Sequence, residues 1–224
     1  RSLVAVDGQG AGAGTAATRL PFSSNIFYEQ CSECRILGQS KDMSLKVFPY
    51  RMLTRWQASL AKRLFWRHHL REAIASIQWA IGEMPTIETM AAIPMLYRGK
   101  GHYRTMGMKQ NMEEFLGLIQ VLREQPLKRI CEIGTFKGGT LFVWCQLADP
   151  SAKIISIDLP GGPFGGGYSE RSVPFFDAFC KREQELSCLR QNSHDPATLD
   201  HVERILDGDL LDFLLIGKGR VPSR

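Results

Sequence analysis

Apolar residues in this chain follow two different periods. Over residues 51–82, Leu53, Trp56, Leu60, Leu64, Trp66, Leu70, Ile74, Ile77 and Ile81 recur at helical spacing and predict one helix, or two with a break. Met112, Phe115, Leu116, Leu118, Ile119 and Leu122 predict a second helix over 111–124, which Gln125-Pro126 ends. The pattern then tightens. Residues 128–133 are compact and mostly β-forming, as a buried parallel strand requires. A glycine turn follows, then a helix that Phe142, Val143, Leu147 and Ala148 supply with an apolar face and Asp149-Pro150-Ser151 stops. A second strand over 153–157 ends in Asp158. Beyond it the pattern predicts a helix over 170–185, with Val173, Phe175, Phe176, Phe179 and Cys180 inward. A strand over 187–190, a helix over 196–206 and a strand over 211–216 complete the series. Residues 85–101, interrupted by Pro94, read as loop. Strands alternating with helices predict an α/β fold with a parallel sheet, preceded by a helical extension.

The turn between the first two core strands narrows the chemistry. Gly134 permits a sharp exit from the strand, and Gly138-Gly139 let the next helix start close to the sheet. Its spacing, Gly134-x-x-x-Gly138-Gly139, is not the Gly-x-Gly-x-x-Gly of dinucleotide sites. Gly139-Thr140 also lacks the lysine of a phosphate-cradling loop. An acid before the first glycine and an acid ending the next strand suit a nucleoside without phosphates. Glu132 can organise the turn or meet an ammonium, Asp158 can take both ribose hydroxyls, and open N–H groups at the helix start can hold a carboxylate. Together these demands describe S-adenosylmethionine.

The stretch Cys131-Glu132-Ile133-Gly134-Thr135-Phe136-Lys137-Gly138-Gly139-Thr140, with Ile157-Asp158-Leu159-Pro160-Gly161-Gly162, resembles the class I SAM-dependent methyltransferases. Within them it is most similar to the branch of cephalosporin-hydroxylase-like proteins and sugar O-methyltransferases. The resemblance continues through Asn192-Ser193-His194-Asp195 and residues 211–216, and covers about 110–216. It implies a Rossmann-like SAM-binding sheet, and methyl transfer to an oxygen of a small-molecule acceptor. Glu132, Gly134, Thr135, Gly138, Gly139, Thr140, Asp158 and Leu159 would contact the cofactor, with Asn192 and Ser193 on the adenine side. His194 is the candidate for proton transfer. Tyr168 ends a glycine-rich loop that could fold over the ligand.

The family also implies a divalent cation held by acids directly after the fourth core strand. Here Ile216 is followed by Gly217-Lys218-Gly219-Arg220-Val221-Pro222-Ser223-Arg224, which offers no carboxylate. This tail reads as a premature end or a shifted frame, so a truncated sheet is expected. Its fourth strand would be left as an edge, marginal, sticky or dimeric, and catalysis is in doubt.

Length and composition add bounds. The chain has 224 residues and 25.2 kDa, enough for one ordinary domain and a smaller one. Residues 1–50 read as a poorly structured leader, 51–105 as the helical extension and 106–224 as the first half of the methyltransferase core. No run of ~18 apolar residues predicts a membrane span. The start has no initiating Met and makes a poor signal peptide. With Cys131 in a buried strand and Cys145 on a helix facing it, reduced thiols and a cytoplasmic location are expected. Cys31-Ser32-Glu33-Cys34 lacks the second pair that zinc needs. Gly8 to Thr15 resembles a nucleotide-kinase opening without its lysine, or a flexible leader.

Net charge is +5, concentrated between residues 43 and 71, where there is no acid. A basic helix with tryptophans suits RNA or an anionic membrane, or else forms a solvated face. The alternative function is therefore a non-catalytic SAM-fold protein that binds a partner through this helix.

Overall fold

The computed structural model describes residues 4–7, 55–83, 86–108, 110–161 and 166–217. Five strands form one all-parallel sheet: β1 (Val4–Asp7), β2 (Arg129–Ile133), β3 (Lys153–Ile157), β4 (Glu185–Leu189) and β5 (Phe213–Ile216). Their spatial order is β1-β5-β2-β3-β4. Six helices accompany them: α1 (Arg55–Gly82), α2 (Ile87–Leu96), α3 (Met112–Leu122), α4 (Gly139–Leu147), α5 (Val173–Asp177) and α6 (Pro196–Leu206). Apart from the first residues of α1, these elements belong to one unit, Arg1–Gly8 with Lys62–Arg224.

Parallel neighbours require a crossover connection between them. From β2 the chain steps outward through β3 to β4, then returns to place β5 on the other side of β2. The order therefore reverses between β2 and β5, which makes a crevice at their carboxyl ends. The alternation of the strands divides the core in two. Ile130, Ile154, Phe213 and Leu215 pack with Ala73 and Ile77 of α1, Met90 of α2, Phe115 and Ile119 of α3, and residues 141–145 of α4. Cys131, Ile155, Ile157 and Leu189 face the other way, onto Val202 and Leu206 of α6. Glu132 and Ser156, paired in register between β2 and β3, thus lie on the α4 side.

Several expectations are corrected here. Residues 87–96 are helix, not loop: Thr86 caps the start by accepting from the Thr89 N–H, and Met90, Ala91 and Pro94 are buried. Pro94 lies in the last turn, where its missing N–H costs the helix the bond that this position would donate to the Met90 carbonyl. The helix expected over 170–185 is a 3-10 turn at Glu170–Ser172 and the five-residue α5. Phe175, Phe176 and Phe179 are nevertheless buried as expected, since the aromatic cluster they form does not need helical spacing. The 211–216 strand is no edge, because β1 pairs with β5 in parallel, Val4 opposite Phe213 and Asp7 opposite Ile216. Asp212 lies before β5, where its carboxylate accepts from the N–H groups of Lys128 and Arg129, both at 2.9 Å. Cys145 does not face Cys131, whose side chain is on the opposite side of the sheet. Its sulfur instead lies 3.8 Å from that of Cys180.

Candidate functional site

The carboxyl rim of β2 and β3 carries the residues that the sequence singled out. Ile133 is in register with Ile157, so Gly134 and Asp158 leave the sheet side by side. The Gly134 N–H donates to the Ile157 carbonyl at 2.8 Å, and the Phe136 N–H donates to Asp158 Oδ2 at 2.6 Å. One oxygen of Asp158 therefore braces the glycine turn.

Across the crevice the Gly217 N–H donates to the Ile133 carbonyl at 2.7 Å. A Cβ on Gly134 would stand 3.3 Å from the Gly217 carbonyl oxygen. Gly138, at φ +80, begins α4 with no side-chain cap, and a Cβ there would lie 2.5 Å from the Phe176 ring. The Gly107 backbone covers Gly139 so closely that a Cβ would meet its oxygen at 2.8 Å.

Glu132 sits beneath the turn and is buried. Thr135 Oγ1 (2.9 Å), Thr140 Oγ1 and the Trp144 indole N–H (3.3 Å) all donate to its carboxylate. Burial pushes its carboxyl up from the ordinary glutamate range, against hydrogen bonds from Thr140, Thr135 and Trp144 that hold it down. Of the two roles open to Glu132, the geometry shows it organising the turn: its oxygens tie the turn (Thr135) to the first and second turns of α4 (Thr140, Trp144). Thr135 Oγ1 also lies 2.8 Å from Ser156 Oγ, which continues the polar thread to the next strand.

Leu159 follows Asp158 and is partly exposed; its carbonyl accepts from the Gly167 N–H at 3.1 Å, closing the base of the glycine-rich loop. A Cβ on Gly167 would lie 2.8 Å from Asp158 Oδ1. Residues 162–165 of that loop lie outside the described residues. Tyr168 is corrected as a ligand contact: its ring is buried against Phe176, and its hydroxyl donates to the Ser156 carbonyl at 3.1 Å. Asn192, Ser193 and His194 are exposed on the turn between β4 and α6. That turn is built by Asn192 Oδ1 accepting from the His194 N–H (3.1 Å) and by Asp195, which caps α6. They share the rim with Asp158, one strand further out.

The sequence did not single out the residues 101–108 or the pocket beside them. Tyr103 donates its hydroxyl to the Arg171 carbonyl (2.7 Å), while Lys137 Nζ donates to Thr105 Oγ1 (3.1 Å). This segment therefore spans from the loop after β3 to the glycine turn. Beside it His102, Ser169, Glu170, Arg171 and Arg190 line an open pocket of about 380 Å³. His102 Nε2 lies 2.9 Å from Ser172 Oγ and 3.1 Å from Ser169 Oγ. The available signal was a histidine in a glycine-flanked turn, Gly99-Lys100-Gly101-His102, between two apolar helices.

Among the described residues no three His, Cys, Asp or Glu side chains are gathered to hold a metal ion. The positions after β5 to which the resemblance assigns the cation's acids lie, from residue 218 on, outside the described residues. No described helix is long and apolar enough to cross a membrane. Gly8 to Thr15, Cys31, Cys34, Lys46, Arg51 and residues 218–224 lie outside the described residues. No family model matches the chain, and neither does any curated protein.

Proposed function

We propose that the chain is a SAM-dependent methyltransferase acting on an oxygen of a small molecule. The observation that carries this reading is the Asp158 carboxylate at the end of β3, locked to the glycine turn through the Phe136 N–H. With Oδ2 so engaged, Oδ1 faces the neighbouring Gly167 and is the oxygen left for a ribose hydroxyl. The start of α4 carries no side-chain cap, and a carboxylate would reach its N–H groups past the covering Gly107 backbone. Glu132 fixes the turn from below, and Asn192 and Ser193 stand on the side assigned to adenine. S-adenosylmethionine, when bound, supplies an electrophilic methyl on a sulfonium. The protein's part is then to orient the acceptor oxygen and exclude water. His194 is the exposed group assigned to take the acceptor's proton.

The test is calorimetric titration of the purified chain with S-adenosylhomocysteine. Binding is expected, weakened roughly tenfold or more in Asp158→Ala, about the worth of a charge-assisted hydrogen bond. Absence of binding, or equal binding by the variant, overturns the reading.

A second reading, a non-catalytic protein that docks RNA or an anionic membrane through α1, is favoured by Phe65, Arg67 and Arg71, all exposed on that helix. It requires salt-dependent binding that Arg67→Gln weakens.

A further inference from the structure

We propose that the pocket bounded by His102, Arg171 and Arg190 is a binding site for an anionic group, a carboxylate or phosphate carried by a small molecule. Its charge is lopsided. Two arginines and a histidine line it, with Lys137 close by on the glycine turn, against the single acid Glu170. That acid is poorly placed to neutralise them: it pairs with Arg190 at 2.9 Å while its own side chain is 85% exposed. An exposed pair of this kind is weak and yields readily to a better-placed anion.

The arginine is aimed rather than loose. Arg190 Nε donates to the Tyr168 carbonyl at 3.2 Å, which fixes the plane of the guanidinium at the mouth of the pocket. With Nε on Tyr168 and one terminal nitrogen on Glu170, the other terminal nitrogen remains to donate. Arg171 is held from both ends. Its carbonyl accepts from Tyr103, and its guanidinium lies 5.6 Å from the centre of the Trp66 ring.

The histidine leaves a serine proton unused. His102 Nε2 lies within hydrogen-bond distance of two serine hydroxyls, Ser169 and Ser172. A neutral ring nitrogen has either one proton or one lone pair, so it satisfies one hydroxyl proton at most. The other serine keeps a proton to offer an acceptor in the pocket. Burial, Arg171 and Lys137 all disfavour the charged imidazolium here. An arriving anion reverses that balance, so the ring reports on occupancy.

The pocket adjoins Asp158, since Arg190 directly follows β4 and the Leu189 carbonyl accepts from the Asp158 N–H at 3.0 Å. Under the methyl-transfer reading the anion belongs to the acceptor; that identification rests on the reading, whereas the anion site does not.

The experiment is titration of the full chain with inorganic phosphate and with acetate, potassium chloride serving as the ionic-strength control. The His102 imidazole is followed by NMR and assigned by its absence in His102→Gln. A saturable shift with phosphate or acetate, absent with chloride, is expected. Arg190→Gln should weaken that affinity roughly tenfold or more, with the remaining resonances unmoved. A shift that chloride reproduces, or an affinity unchanged in Arg190→Gln, overturns the proposal. S-adenosylhomocysteine is titrated into the same samples. Anion binding without it keeps the pocket and discards the acceptor, while the reverse result discards the pocket.

Discussion

Glu132 is a carboxyl group in a place that water does not reach, surrounded by two hydroxyls and an indole N–H that all point at it. Removing it leaves the Trp144 N–H and the Thr140 hydroxyl without this acceptor and Thr135 with Ser156 alone, so Glu132→Ala should lower unfolding stability by roughly 2–4 kcal/mol in urea. Glu132→Gln preserves an acceptor and should cost less. The raised carboxyl value also fixes a sign. The folded state holds the proton to higher pH than the unfolded chain, whose glutamates titrate near 4.5. Stability should therefore fall as pH rises from about 4.5 through the folded value, and Glu132→Gln should flatten that slope. A slope unchanged in Glu132→Gln would mean that this carboxyl does not titrate with folding.

At the scale of elements, α2 shows what a single breaker can hide. Its first turn carries Thr86 as cap and Glu88 as an acid near the helix's positive end, yet Pro94 made the segment read as loop. Thr86→Ala should destabilise the protein by about 1 kcal/mol, measurable as a lower thermal midpoint; an unchanged midpoint would show that packing alone holds the helix. The core strands were legible as short β-forming runs bounded by turn residues, and α6 by its helical spacing after Asp195-Pro196. Residues 170–185 were not, because Phe175, Phe176 and Phe179 satisfy the spacing of one helix, whereas only the first two lie in the short α5 and Phe179 packs on Phe142 from the turn after it. The glycine turn and Asp158 were readable from spacing alone. The pocket at His102 was not, since its walls come from positions 102, 169–171 and 190, which only the fold brings together.

For the whole molecule, burial of ionisable groups sets an upper limit in pH. Cys131, Cys188 and Tyr97 are each pushed up to about 12 by desolvation. All three are neutral when protonated and ionise more easily in the unfolded chain. Their stabilisation is complete below the unfolded values, near 8.5 for thiols and 10 for tyrosine, and is lost as pH rises towards 12. Unfolding free energy should therefore decline between about pH 9 and pH 12, and Tyr97→Phe should blunt the upper part of that decline. The Tyr97 hydroxyl is buried without a hydrogen-bond partner among the described residues, so the phenylalanine should also be at least as stable at neutral pH. A flat profile across the window would show these groups to be hydrated.

The crossing of Gly134 and Gly217 ties the two halves of the crevice into one dimension. Each leaves so little room that a methyl on either must push the other's backbone away. Gly217→Ala should therefore widen the gap between β2 and β5 and weaken S-adenosylhomocysteine binding. Combined with Gly134→Ala it should fall short of the sum by the part that comes from the shared gap, because the first methyl has already made room for the second, while the strain of a side chain at the Gly134 φ of +90 remains. Strict additivity of the pair would mean that the gap is not shared. A shortfall makes the width of this cleft a fixed constant, set by two residues that have no side chains with which to adjust it.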